Sequence, residues 1–141
     1  MAFPKIIHCL VCEEVRLERR GLSSLLGFYG VAPNVEILVR SFDIPVQLQR
    51  LSFLLIGGPG EGRFRLSFQI LDDAGIVIVA PSEPVEREFK NIRGKNQNYG
   101  IGIGGLTFPR AGTYYFKVLV DDKVEFETTF AVKQGDPEDF E

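Results

Sequence analysis

His8-Cys9-x-x-Cys12 carries the residue types that metal and redox chemistry use. A Cys-x-x-Cys pair chelates zinc or cycles as a dithiol when its sulfurs meet, usually at a turn or a helix start. Here the motif sits inside an uncharged, largely apolar run, Ile6 to Cys12, that reads as strand. Three residues of strand separate the Cα atoms by about 10 Å and send the side chains to opposite faces. A disulfide needs Cα atoms within about 7 Å. His8 is the only histidine and no second Cys pair exists, so a zinc site would lack a fourth strong ligand. Two packed, reduced thiols are the ordinary expectation, with no metal site.

Other catalytic arrangements find less support. A Ser-His-Asp or Cys-His device would have to use His8, expected mid-strand and half-buried. The acid pairs Glu13-Glu14 and Asp72-Asp73 are adjacent in sequence, which points their carboxylates apart. Asp43, Asp72-Asp73 and Asp121-Asp122 could line one end of a fold and hold calcium, which wants six to eight oxygens. Asp is equally at home in tight turns for backbone-bonding reasons. The glycines at 100, 102, 104 and 105 are followed by Leu106-Thr107-Phe108-Pro109, which cannot open the helix that a phosphate-cradling loop needs. The expectation is a non-enzyme without cofactor.

Two features remain as binding chemistry. Gly100, Gly102 and Gly104 alternate with Tyr99, Ile101 and Ile103, which leaves one side of a strand bare. Glycine weakens a strand, so three in alternation point to close approach of another backbone or ligand, unless neighbouring aromatics cover them. Just before them, Arg93-Gly94-Lys95-Asn96-Gln97-Asn98-Tyr99 offers two cations, three amides and an aromatic on one loop. From Phe89 to Val120 lie five of the 16 basic residues and no acid, leaving 11 bases against all 19 acids elsewhere. The loop could hold an acidic partner surface, or simply be solvated. The whole chain has net charge −3 and pI ≈ 5.3, and phosphate-backbone binders are usually strongly basic. Nucleic acid is therefore not an expected partner.

The elements that must position these residues are strands. At 141 residues the chain is of single-domain length,. Twelve Phe among many Val and Ile favour strand,, and 15 Gly with 8 Pro punctuate it at short intervals,. Phe64, Leu66, Phe68 and Ile70 alternate with Arg63, Arg65, Ser67 and Gln69, the period of a half-buried antiparallel strand. Arg19-Arg20-Gly21 and Asp72-Asp73-Ala74-Gly75 read as turns, and Gly57 to Gly62 as a mobile hairpin tip. Gly104-Gly105 reads as a bulge returning Leu106 and Phe108 to the core face. Residues 84–92 fit a strand or a short helix; Pro84 and Gly94 bracket a strand's length, and strand is the expectation. Phe108-Pro109-Arg110-Ala111-Gly112-Thr113-Tyr114-Tyr115-Phe116 leads through Asp121-Asp122 into Val124, Phe126 and Phe130, as the closing hairpin of an immunoglobulin-like sandwich often reads. The expected fold is all-β, a two-sheet antiparallel β-sandwich of immunoglobulin-like type with eight or nine strands over residues 1–134. An acidic, flexible tail covers 135–141.

Cys12-Glu13-Glu14-Val15-Arg16, the segment Gly21 to Gly30 with its Leu-x-Gly-x-Tyr-like return, and Gly112, Tyr114 and Phe116 together resemble a family of short uncharacterised bacterial proteins, a domain of unknown function. The resemblance covers both ends of the chain and implies a sandwich fold in a bacterial cell, with no site residues to carry over.

The start is not secretory: Lys5 precedes only seven uncharged residues before Glu13-Glu14,. The longest uncharged run, Gly21 to Val35, has 15 residues and contains Pro33, too short and broken to span a bilayer,. A cytoplasmic, non-membrane protein is expected. Its expected role is a non-catalytic protein-protein interaction module, self-association included. The partner face comprises Arg93, Lys95, Asn96, Asn98, Tyr99, Gly100, Gly102 and Gly104. The alternative is a binding domain for an anionic small molecule or sugar, for which a deep pocket beside Arg93 and Lys95 with exposed Tyr29, Tyr99 or Tyr115 would speak.

Overall fold

The computed structural model describes residues 2–19, 22–43, 46–79 and 83–140. The strands are β1 (Ile6–Leu17), β2 (Ser23–Val31), β3 (Glu36–Val39), β4 (Val46–Gly57), β5 (Gly62–Asp72), β6 (Val77–Val79), β7 (Val85–Phe89), β8 (Gln97–Phe108), β9 (Gly112–Val120) and β10 (Lys123–Gln134). One sheet has the order β2-β1-β4-β8; the other runs β3-β10-β9-β5, with β6 and β7 both paired to β5. The sequence expectation needs two corrections. There are ten strands among the described residues, against the eight or nine expected. The sheets are not wholly antiparallel either: β3 runs parallel to β10, Glu36 opposite Ala131 to Val39 opposite Gln134. β3 follows β2 of the other sheet after only four residues and pairs with a strand remote in sequence, so no hairpin turn imposes antiparallel pairing on it,.

Period-2 alternation explains which side chains meet between the layers. Leu51, Phe53 and Leu55 of β4 and Tyr114, Phe116 and Val118 of β9 are fully or almost fully buried. Phe53 and Phe116 stack at 3.9 Å between centroids, their planes nearly parallel, and join the two sheets at their centres. Around them Phe108 meets Tyr114 edge-on at 4.8 Å, and Phe130 lies 5.9 Å from Tyr114. Phe3, Phe64, Phe89 and Tyr99 close one end of the core by edge contacts.

Val85–Phe89 is a strand, on the edge of β5, with Gly62 opposite Phe89 and Leu66 opposite Val85. Asp121 and Asp122 take φ of 48° and 68°, the left-handed pair that a two-residue hairpin turn requires and Asp tolerates. At Gly105 φ is 64°. There the core face of β8 passes from odd to even residues: Tyr99 is buried before it, Leu106 and Phe108 after it. The turn expected at Arg19-Arg20-Gly21 lies partly outside the described residues. In the acidic segment, Pro137–Phe140 forms a 3-10 turn, and the Arg40 guanidinium stands 5.0 Å above the Phe140 ring.

A buried carboxylate fixes the corner between β5 and β9. Asp72 is 3 % exposed. It accepts hydrogen bonds from the backbone N–H of Ala74 at 2.9 Å and Ile76 at 2.8 Å, and Arg110 Nη2 donates to it at 2.7 Å. The Tyr114 hydroxyl donates to the Arg110 carbonyl, tying the same loop down. Asp73 adds a weaker ion pair to Arg110 at 3.6 Å. The Asp72-Asp73 acids therefore serve the fold at this corner.

Candidate functional site: a groove over the glycine strand

The outer face of the four-stranded sheet carries a groove of about 610 Å³. Its floor comes from register. β4 and β8 pair with Arg50 opposite Gly104, Ser52 opposite Gly102 and Leu54 opposite Gly100. The three glycines carry no side chain on this face, and Ser52 and Leu54 of the neighbouring β4 line the floor beside them. The wall is the β1–β2 hairpin. β1 pairs with β4 only as far as Cys12 opposite Ser52, yet continues with β2 to Leu17 opposite Ser23. Past Cys12 this arm lifts off β4 and crosses over the outer face. A register shift between Val11 and Cys12 provides the bend, as bulges do in antiparallel pairs.

Two contacts hold the arm to β4. The Ser52 hydroxyl donates to the Glu13 carbonyl at 3.1 Å. Arg50 Nη1 pairs with Glu14 Oε1 at 2.9 Å, and within the arm Arg16 reaches the other oxygen at 3.7 Å. Gly27, with φ of 62°, leaves room for Glu13: a Cβ there would lie 2.6 Å from Glu13 Cγ. The Tyr29 hydroxyl is pushed above its usual pKa by burial and then by the neighbouring Glu13 charge. Cys12 is buried and donates its thiol to the Glu14 carbonyl at 3.5 Å.

The sequence-derived site divides in two. Asn98, Tyr99, Gly100, Gly102 and Gly104 line the groove; Arg93, Lys95 and Asn96 do not. Those three sit exposed on the turn before β8. Arg93 takes φ of 53°, the Lys95 N–H donates to Ile92 O at 3.0 Å, and the Gly94 N–H donates to Asn91 Oδ1 at 3.1 Å. Tyr99 is a core residue, 3 % exposed, because it shares the inward parity of Ile101 and Ile103. Arg87 of β7 stands 5.2 Å above its ring. Among the described residues its hydroxyl finds no hydrogen-bond partner, and burial raises its pKa far above the usual tyrosine value. Sequence reasoning missed Glu13, Glu14, Arg50, Ser52 and Leu54, since only the β1–β4–β8 register brings them over the glycines.

The glycines are not forced by packing. A Cβ on Gly100 would meet Val15 and Phe53 O at 3.9 Å, one on Gly102 would meet Ser52 Oγ at 3.6 Å, and one on Gly104 would meet Gln49 O at 3.7 Å. These are ordinary contact distances, and none of the three has a positive φ. Their effect is to keep the groove open.

His8 lies exposed in β1, outside the groove lining. Cys9 is buried in the core between the sheets, whereas Cys12, also buried, is not part of that cluster; both thiols are free. Burial, and then Cys12, pushes the Cys9 thiol up to about 12. Among the described residues no three His, Cys, Asp or Glu side chains come together as metal ligands. No helix among the described residues is long and apolar enough to cross a membrane.

The chain belongs to a family of unknown function (DUF6941), whose model matches residues 8–133. No curated protein matches it. Among solved structures, an alkylpurine DNA glycosylase of Pseudomonas fluorescens, AlkC, bound to DNA containing an abasic site analog, is similar at 14 % identity with a TM-score of 0.38. The likeness covers 60 % of this chain and 25 % of that one, so the chain spans about a quarter of that protein.

Proposed function

We propose that this protein is a non-catalytic interaction module, with an immunoglobulin-like arrangement of its two sheets, that receives a protein partner on the β8 side of its four-stranded sheet. The observation that carries the reading is the glycine stripe: three adjacent outward positions are bare although the fold has room for a Cβ at each. Bare backbone beside a groove is what close approach of another chain uses. The groove is chemically mixed, with Glu13, Glu14, Arg50, Ser52, Asn98 and Leu54 around it, which suits a polypeptide with both polar and apolar groups.

The anionic small-molecule or sugar reading draws on the groove's concavity. Against it, Arg50 is already paired with Glu14, two carboxylates line the wall, and Arg93 and Lys95 lie elsewhere. The protein-partner reading is preferred. Affinity capture from the native cell with the wild-type chain and with Gly102→Arg tests it. A partner retained by the first and lost by the second, with both folded by circular dichroism, is the expected result. The same proteins on both would refute the reading.

A further inference from the structure

We infer that the partner is a second copy of this chain, joined edge to edge through antiparallel pairing of β8 with β8; this identification rests on the interaction reading above. Among the described residues β8 pairs only with β4, so its outer edge presents a row of backbone N–H and C=O groups. Natural edge strands are guarded by charge, proline, shortness or bulges. β8 has 12 residues with no charge and no proline, and its register with β4 is unbroken from Gln97 to Gly104. The other edges are guarded. β7 carries Glu86, Arg87 and Glu88. β3 has four residues, with Glu36 in an ion pair to Lys133 at 2.6 Å. β2 is kinked by Gly27 and Gly30 at positive φ and by the shift at its pairing with β1.

Side-chain parity restricts the register to steps of two residues, and the charged turns at the strand ends choose among them. With the two-fold axis through Gly102, Ile101 faces Ile103 of the second copy, core side against core side, and Gly100 faces Gly104, bare side against bare side. Between Gly100 and Gly104, short of the face change at Gly105, a one-residue slip would set core-facing positions against outward ones,. This register also brings the ends of the strands into charge complementarity. In this register Gln97 and Phe108 at the strand ends fall opposite positions 107 and 96, so the turn bearing Arg93 and Lys95 leaves β8 at the same end as the other copy's Arg110 corner. Arg110 is there outnumbered by Asp72 and Asp73 at 2.7 and 3.6 Å, and Asp73 is 59 % exposed. The cationic turn, which takes no part in the groove, thus meets a net negative corner twice in each dimer.

Analytical ultracentrifugation over a concentration series, with amide hydrogen exchange read residue by residue along β8, tests the inference. The expected result is a dimer in which consecutive β8 amides are protected, with every second one becoming exchangeable on dilution to monomer. R93E/K95E weakens the dimer by roughly tenfold, as two exposed ion pairs per interface repeat would, and adding Asp73→Lys to that chain recovers affinity. Both charge variants lie outside the groove lining, so their effect is separate from that of Gly102→Arg. A monomer at every concentration overturns the inference and leaves the groove for a different protein. A dimer whose alternate β8 amides still exchange freely overturns the edge pairing; if Gly102→Arg also leaves that dimer intact, the interaction reading of the glycine face fails with it.

Discussion

Val15 of the lifted arm stands over Gly100 of β8, its Cβ 3.9 Å from where a side chain on that glycine would begin. One strand thus crosses above another without sealing the surface, and the bare positions beyond it stay open. Alanine fits at each of the three. Gly102→Ala is expected to leave stability within about 0.5 kcal/mol of wild type, or slightly above it, since alanine loses less backbone freedom on folding. Urea denaturation of the variant checks this; a loss of several kcal/mol would mean the stripe is structural.

At the opposite corner the Asp72–Arg110 pair should be asymmetric. Asp72→Ala removes an acceptor that serves two backbone N–H groups and a guanidinium, and should cost about 3 kcal/mol or more. Arg110→Ala removes a half-exposed partner while Asp72 keeps its backbone donors, so about 1–2 kcal/mol is expected. Chemical denaturation of both variants tests the order, and equal losses would contradict it.

Phe53→Ala empties the stack that joins the sheets at their centres. A cost of about 3–5 kcal/mol is expected for deleting a fully buried ring, read as a lowered denaturation midpoint. Retention of wild-type stability would mean that the two layers are held elsewhere.

Alkaline pH should destabilise the fold through Cys9. An ordinary thiol ionises near 9.0, whereas burial keeps Cys9 protonated up to about 12. Its contribution is complete below 9.0; between 9.0 and about 12 the unfolded chain gives up the proton while the folded chain keeps it, so stability falls as pH rises. Burial raises Tyr29 and Tyr114 in the same direction. Denaturation midpoints measured at neutral pH and above 9.0 should decline, less steeply in Cys9→Ala. A flat profile would contradict the burial of this thiol.

Local pattern made much of this legible. The alternation of Phe64 to Ile70, the Asp121-Asp122 turn and the face change at Gly104-Gly105 each depend on a few neighbouring residues. What distant strands do to one another was not legible. Nothing in Glu36–Val39 announces a parallel partner in β10, and nothing in Glu13-Glu14-Val15 announces that β1 leaves β4 after Cys12. Half the groove could therefore be named from the glycines and Asn98, while its other half depended on pairings set by the tertiary fold. Tyr99 shows the reverse failure: its alternation with the glycines already assigned it to the core side, and its apparent place in a polar loop obscured that.

The most direct test of the central claim is the solution mass, by light scattering at low and high salt, of the wild type beside Gly102→Ala and Gly102→Arg. The account predicts mass above the monomer for the wild type and Gly102→Ala, and a folded monomer for Gly102→Arg. Three equal masses, whether all monomeric or all assembled, would contradict it.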